Sequence, residues 1–431
     1  MGSKYGAAFT EWLEARRPAI PPDKQLSKEA GVSLFIHFCF QFGASMSGVF
    51  LTLYLWRLTQ SMIINGIYFA VNYVVVAIAF VLGGWLIKRK DRMVVYRIGI
   101  AMNAIFYLAV VFAGERVVTF YLLFAICNGI ASAFYWVGYL TLMYDVSTDR
   151  NRIRYLAVNT ITFTLGGLIG PALAGFLIRS ADGLQGYTMV FGTACAMFLI
   201  ASIGSLRIRT KPSHHKAYYL KYTSLLLRKH PRWTKSLLSF FTLGLQQGIM
   251  LFLPNILLYR IVGREDVVGY LGVLFAGLSI GAGFFISRFG TEERSRSFIL
   301  YTSVGFVIGG LSLQAGITLP TVLIFMIIYS LCSPVQGNTV SSYFYRLIGD
   351  LPLRGELRVE SVVLREIFMN AGRVVSIVSF VLISARFGFE LLPWIVLAGA
   401  LLQFLMVRLI ERDKAAGAGE SKNRSKSEVA G

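Results

Sequence analysis

The sequence predicts an all-α integral membrane protein of twelve transmembrane helices, and three observations carry that prediction. Residues AVILMFWYC make up 55% of the 431-residue chain, and 42 glycines lift the apolar share further. Soluble domains reach only about 45–50% with glycine included, and carry about 25% charged residues against 15% here. The apolar residues gather in segments of about 20, the helix length that crosses a hydrocarbon core about 30 Å thick. Lysine and arginine gather in alternate connections between those segments, which fixes the sidedness.

In chain order the expected spans are 31–55, 63–87, 96–113, 118–143, 155–178, 187–206, 236–259, 267–287, 298–314, 319–345, 361–385 and 390–408. With both termini cytoplasmic, 34 of the 42 Lys and Arg fall on the inner side. The outer connections hold six, Arg57, Arg116, Arg179, Arg260, Arg264 and Arg386, and Arg365 and Arg373 lie inside a span. That is the positive-inside bias, and a missed helix would scramble it. The net charge of +20 is therefore topological, and a nucleic-acid role is excluded. Residues 1–30 lack the features of a cleavable leader, so span 1 is expected to anchor the chain.

The longest internal connection, 207–235, divides the chain six helices plus six. The expected units are a cytoplasmic tail 1–30, a bundle 31–206, the connection 207–235, a second bundle 236–412 and a cytoplasmic tail 413–431. Tyr218 to Leu227 mixes aromatics and leucines with Lys221, the pattern of an amphipathic helix on an anionic inner leaflet. The halves also echo each other. An offset of 206 sets Asn159 on Arg365, Thr164 on Asn370 and Gly166 on Gly372, and parallel six-helix repeats place a substrate site between halves near mid-membrane.

Charges inside the spans mark the candidate site. Glu366, Asn370 and Arg373 fall on one helical face of span 11, Glu366 about 8 Å deep and Arg373 about 18 Å. An arginine there costs at least about 2.5 kcal/mol on insertion scales, so it needs a carboxylate, carbonyls or water. Two readings follow. Arg373 meets an anionic or polar substrate with Glu366 as the protonatable partner, or Glu366 pairs structurally with Arg365 or Arg373. In span 1, His37, Gln41 and Ser45 form a polar stripe in which His37 is a second candidate proton carrier. Gln246 and Gln247 in span 7, Asn159 in span 5, Tyr135 in span 4, and Gln336 and Asn338 beyond Pro334 in span 10 supply neutral candidate ligands; the alternative for each is an interhelical hydrogen bond.

Two motifs carry a family resemblance. One is the basic 2–3 connection running from Gly83-Gly84 through Lys88-Arg89-Lys90-Asp91-Arg92, and the other is Gly166-Gly167-Leu168-Ile169-Gly170-Pro171-Ala172-Leu173-Ala174-Gly175 in span 5. With the six-plus-six plan they make the chain resemble a major facilitator superfamily transporter over about 31–410. The run Glu360 to Arg373, with Phe134-Tyr135-Trp136 and Gly186-Tyr187, resembles a poorly characterised bacterial branch of it. The resemblance implies a multi-pass protein of the bacterial plasma (inner) membrane, monomeric, whose partners are a small-molecule substrate, protons and membrane lipids. It implies gating roles for Gly84, Asp91, Arg92, Gly166, Gly170, Pro171 and Gly175, the span 5 run being similar to the glycine-proline motif of drug exporters. The sequence departs from the family in two places. The acid usual four residues after Gly84 is Lys88, with Asp91 three later as a replacement, and the exporters' span 4 arginine would fall near Ala125.

Enzymatic function finds no support. There is no Gly-rich phosphate loop ending in GK[ST]. His214 and His215 stand without cysteines or carboxylates at ligand spacing, so no metal site and no cofactor is expected. Cys39, Cys127, Cys195 and Cys332 fall in spans as small apolar fillers. The expected function is proton-antiport export of a small organic solute by alternating access. The alternatives are a proton symporter importing a sugar, acid or peptide, and a lipid or glycolipid flippase.

Overall fold

The computed structural model describes residues 25–146, 152–181, 184–209, 218–289, 294–349, 351, 357–388 and 390–410. Most of both tails and the pair His214-His215 lie outside them. Among the described residues there is no strand, and twelve helices are long and apolar enough to cross a membrane. We number them span 1 Lys28–Thr59, span 2 Met62–Arg89, span 3 Arg92–Val117, span 4 Tyr121–Met143, span 5 Val158–Arg179 and span 6 Gln185–Ser205. The second half contains span 7 Pro231–Val262, span 8 Glu265–Ile286, span 9 Ser295–Ala315, span 10 Leu319–Ile348, span 11 Arg358–Phe387 and span 12 Leu392–Leu409. The predicted all-α, twelve-span class is therefore correct.

Local chemistry sets the ends. The Ser27 hydroxyl accepts from the Ala30 amide at 3.1 Å and starts span 1, and Gln60 closes it in the left-handed region at φ 50°. One residue later Ser61 caps span 2, so two long helices join through a two-residue turn. Asp91 starts span 3 by accepting from the Met93 amide at 2.8 Å.

Span 7, expected as one helix, is broken: Pro231–Met250 is followed by Leu253–Val262. Pro254 has no amide to give the Met250 carbonyl, which frees that turn and bends the helix one turn beyond Gln247. Span 12 also breaks, at Gln403, whose amide side chain donates to the Thr242 carbonyl of span 7 at 3.1 Å. From Tyr218 to Leu227 the expected single amphipathic helix is a 3-10 turn Leu220–Tyr222 and a short helix Thr223–Lys229.

The halves repeat each other in packing. Gly166 of span 5 packs against span 1, where a Cβ added to it would lie 3.1 Å from the Phe38 carbonyl oxygen and 3.0 Å from the Phe42 amide nitrogen. Gly372 of span 11 fits against the Phe241 carbonyl and the Leu245 amide in span 7. Phe241 and Leu245 follow Phe38 and Phe42 by the same 203 residues, and Gly372 follows Gly166 by 206. At Gly372 a Cβ would collide with backbone and at Gly166 it would be tightly crowded by backbone, and in lipid such close approach is a main source of helix association. Large apolar side chains such as Phe112, Ile203, Phe284 and Leu382 are exposed on the outside, as a lipid-facing belt requires.

The halves meet along spans 2 and 11 and along spans 5 and 8. We call the end carrying the start of span 1 and the close of span 12 the terminal face, and the opposite end the distal face. Spans 2 and 11 touch along their length, Gly66 against Val381 near the distal face and Gly84 against Val363 near the terminal face. Spans 5 and 8 meet closely in their distal part, where Gly175 lies against Asp266 and Pro171 against Gly269. Toward the terminal face Gly277, Gly281 and Gly283 have no neighbour within 4 Å on the side where a Cβ would project.

Candidate functional site

Arg373 lies at the centre of span 11, fifteen residues from Arg358 and fourteen from Phe387, about 22 and 21 Å along a helix axis. Its Nη2 donates to Gln247 Oε1 of span 7 at 2.7 Å and its Nη1 to Asn370 Oδ1 at 2.9 Å. The guanidinium carbon sits 5.0 Å from the ring centroid of Tyr73, which belongs to span 2 in the other half. Asn370 in turn donates to the Glu366 carbonyl at 2.8 Å. The glycines position this group. Gly244 and Gly248 let span 7 press on the backbone at Met369 and Arg373, which brings Gln247 within reach.

Glu366 is buried one turn beyond Asn370 toward the terminal face. Its Oε1 accepts from Arg365 Nε at 3.1 Å and Nη2 at 2.6 Å. Arg365 Nη1 also donates to the Tyr345 hydroxyl of span 10 at 2.9 Å, and the guanidinium lies 5.6 Å from the Phe240 ring of span 7. Of the partners expected for Glu366, the structure shows Arg365. Arg373 lies in the same hydrogen-bonded chain without an ion pair to it.

The polar stripe of span 1 faces span 5. His37 is fully buried, with Nδ1 2.8 Å from Asn159 Oδ1, and Asn159 Nδ2 donates to the Tyr139 hydroxyl at 2.8 Å. With the Asn159 oxygen on His37, Nδ1 carries a proton, and Nε2 has no hydrogen-bond partner among the described residues. Ser45 donates to the Gly166 carbonyl at 2.9 Å, and Gln41 lies beside Gly167. Tyr135 is buried between Phe40, Tyr96 and Tyr139, inside the first half and away from Arg373. Gln246 turns toward Gly399 of span 12, whereas its neighbour Gln247 faces Arg373. Gln336 is fully buried with neither amide atom partnered among the described residues, and Asn338 on the same span is exposed.

Ion pairs cross between the halves at both faces. Near the terminal face, Lys88 of span 2 lies 3.7 Å from Glu360 in the first turn of span 11, both nearly sealed from solvent. Glu360 also accepts from the Tyr219 amide at 3.1 Å, so the central connection is drawn into the junction. Tyr218 inserts beside Gly84 and donates to the Val81 carbonyl at 3.3 Å, and burial reinforced by the Glu360 charge holds its phenol above the usual range, hence neutral. Near the distal face, Arg57 of span 1 pairs with Glu265 of span 8 at 2.9 Å, and Arg264 and Arg179 both reach Asp266. Asp91 caps span 3, and Arg92 follows it. The span 5 motif has two faces. Gly166 and Gly170 rest on span 1, while Pro171 and Gly175 rest on span 8 across the seam.

Tyr73, Tyr139 and Tyr345 were not named by sequence reasoning, and Lys88, Glu360 and Tyr218 were named within motifs but not as site residues. Nothing distinguishes Tyr73 among 21 tyrosines before the halves are packed. Glu360 did carry a signal, an acid opening a span in the same run as Glu366 and Arg373. Lys88 also carried one, a cation where the resembled loop has an acid.

Two pseudo-symmetric six-helix bundles with charged pairs at both ends of their seam and polar groups at its centre define a multi-pass membrane protein of transporter type. The chain belongs to the Major Facilitator Superfamily, whose family model matches residues 33–352. It is 28% identical over 353 residues to the uncharacterised protein YqgE of Bacillus subtilis (strain 168), covering 80% of each chain. It is also 28% identical over 168 residues to an uncharacterised protein encoded in the sodM 3' region of Geobacillus stearothermophilus, covering 39% of this chain and 78% of that one. Among solved structures, a D-xylose-proton symporter superposes with a TM-score of 0.68 at 14% identity, covering 89% of this chain and 98% of that one. The human organic anion transporter MFSD10 (TETRAN) superposes with a TM-score of 0.65 at 13% identity, covering 91% and 100%. At these identities the likeness to solved structures concerns the fold.

Proposed function

We propose that the chain exports a small organic solute across the bacterial plasma membrane by proton antiport, with the halves 31–206 and 236–412 moving about the seam and the terminal face in the cytoplasm. One observation carries this reading: Arg373 is held by Gln247 and Asn370 of its own half and covered by Tyr73 of the other, so rocking the halves remakes its surroundings. A solute bound there is exposed to one side and then the other. Asn159, Gln41, Gln246, Tyr135, Gln336 and Asn338 are assigned to the wider lining or its support.

The coupling proton is assigned to Glu366, with His37 as the second carrier. Protonating Glu366 removes the charge that holds Arg365, and Arg365 bridges span 11 to Tyr345 of span 10. A proton on one carboxyl thus alters a contact between two helices of the second half. Lys88–Glu360 and Arg57–Glu265 are the gates, broken alternately. The glycine-proline run supports export through its similarity to the motif of drug exporters, and its two faces pack on span 1 and span 8.

Import by symport is the second reading, favoured by the fold neighbour that is by title a proton symporter. The test is flux in proteoliposomes of a compound found to stabilise the purified protein. Antiport predicts accumulation on the side opposite to that expected for symport when one pH gradient is imposed, and no accumulation in either sense overturns proton coupling.

A further inference from the structure

Arg373 differs from Lys88, Arg365 and Arg57, three other buried or half-buried cations of the spans, in its partners. Lys88 has Glu360, Arg365 has Glu366 and Arg57 has Glu265. Among the described residues no carboxylate lies within the 4.0 Å ion-pair distance of Arg373. Its hydrogen-bond partners are two neutral amides and, at 3.7 Å, the Met369 sulfur. Its Nε is buried and has no hydrogen-bond partner among the described residues. Neutral amides orient a guanidinium without cancelling its charge, so the centre of the fold holds a net positive charge in a low-dielectric setting. A group kept there at that cost is suited to a ligand that brings the missing negative charge.

The donor geometry narrows the head group. A carboxylate grips a guanidinium along one edge by two parallel N–H···O bonds. The free Nε–H is available for one of them. Gln247 Oε1 already takes a donor of Nη2, as a carboxylate oxygen would, and the amide can turn so that its NH₂ donates to an incoming carboxylate.

The surroundings narrow the body. Tyr73 covers the guanidinium, Phe69 stacks on Tyr73 and on Phe252, and Tyr329 of span 10 lies within electrostatic reach of Arg373. These rings come from both halves and offer flat apolar surface. An ammonium on the same ligand would need an acid, and the nearest acid along span 11, Glu366, is engaged by Arg365. A zwitterion is therefore poorly served, and a second negative charge has no second cation beside Arg373.

We propose that the seam site takes a small amphipathic organic monoanion, its carboxylate on the Nε and Nη2 edge of Arg373 with Gln247, and its aromatic or aliphatic body against Phe69 and Tyr73. This rests on reading the chain as a transporter, and it names the substrate class of that site.

The experiment measures the thermal unfolding midpoint of the full chain, purified in detergent, against matched pairs: benzoate and benzamide, phenylacetate and phenylacetamide, octanoate and octanamide. The expected result is that at least one carboxylate raises the midpoint and its amide does not. Arg373→Gln should lower the apparent affinity for that carboxylate at least about tenfold, and Arg373→Lys, which keeps the charge but not the paired edge, should weaken it less. Arg373→Lys also serves should Arg373→Gln fail to fold. The assignment is overturned if amides match their carboxylates, if no carboxylate acts, or if Arg373→Gln binds as well as the parent. A preparation that moves a neutral solute while ignoring all three acids defeats the anion assignment and leaves transport standing. A preparation that binds an acid at Arg373 yet moves it across no membrane does the reverse.

Discussion

Lys88 and Glu360 face each other 3.7 Å apart across the seam, one closing span 2 and the other opening span 11, with 7% and 2% of their side chains exposed. The pair joins the halves where Tyr218 and Tyr219 of the central connection also lodge. Asp91, which sequence reasoning offered as the replacement acid, caps span 3 instead.

Glu360→Gln should therefore loosen the terminal face. Breaking one partner of a buried pair costs about 3–5 kcal/mol, because the other charge stays buried. A lower unfolding midpoint is expected, together with faster disulfide crosslinking across the distal ends of spans 1 and 8 in a cysteine pair, as the terminal face opens and the distal face stays shut. The exchange Lys88→Glu with Glu360→Lys should recover most of both. Equal behaviour of the single variant and the parent would remove the gate.

Gly244 and Gly372 interlock spans 7 and 11. Gly244→Ala pushes a methyl group into the Met369 carbonyl and Gly372→Ala into that of Phe241. Overpacking of this kind costs about 1–3 kcal/mol, and the separation it forces moves Gln247 off Arg373. The measurement is the unfolding midpoint beside that of Gly192→Ala, where nothing lies within 4 Å and no change is expected.

Asn159 binds two groups at once, His37 and Tyr139. Asn159→Leu strands both polar partners in the first half, at about 1–3 kcal/mol for each buried group left unsatisfied. Denaturant or thermal midpoints should drop accordingly, and the double variant Asn159→Leu with His37→Leu should recover part of the loss. A neutral single variant would show that solvent already serves these groups.

The fold was legible in the sequence because the bilayer demands long apolar segments with satisfied backbones, and their charge bias gives the count independently. The kink of span 7 was within reach at Pro254 but needed the Met250 carbonyl to be recognised as freed. At the site, the order Glu366, Asn370, Arg373 followed from helix periodicity; Arg373 reaches the Asn370 side chain, Asn370 the Glu366 backbone carbonyl, and the Glu366 carboxylate accepts from Arg365. What periodicity cannot give is the facing helix. Gln246 and Gln247 are adjacent in sequence, yet a rotation of one residue sends one toward span 12 and the other to Arg373. Tyr73 and Tyr345 became visible only once the helices were assembled.

The most direct test of the central claim is solute movement driven by a pH gradient in proteoliposomes, comparing the parent with Glu366→Gln. The account predicts gradient-driven accumulation by the parent, and in the variant loss of that accumulation with exchange of labelled for unlabelled solute retained. Accumulation by Glu366→Gln equal to the parent's would contradict it.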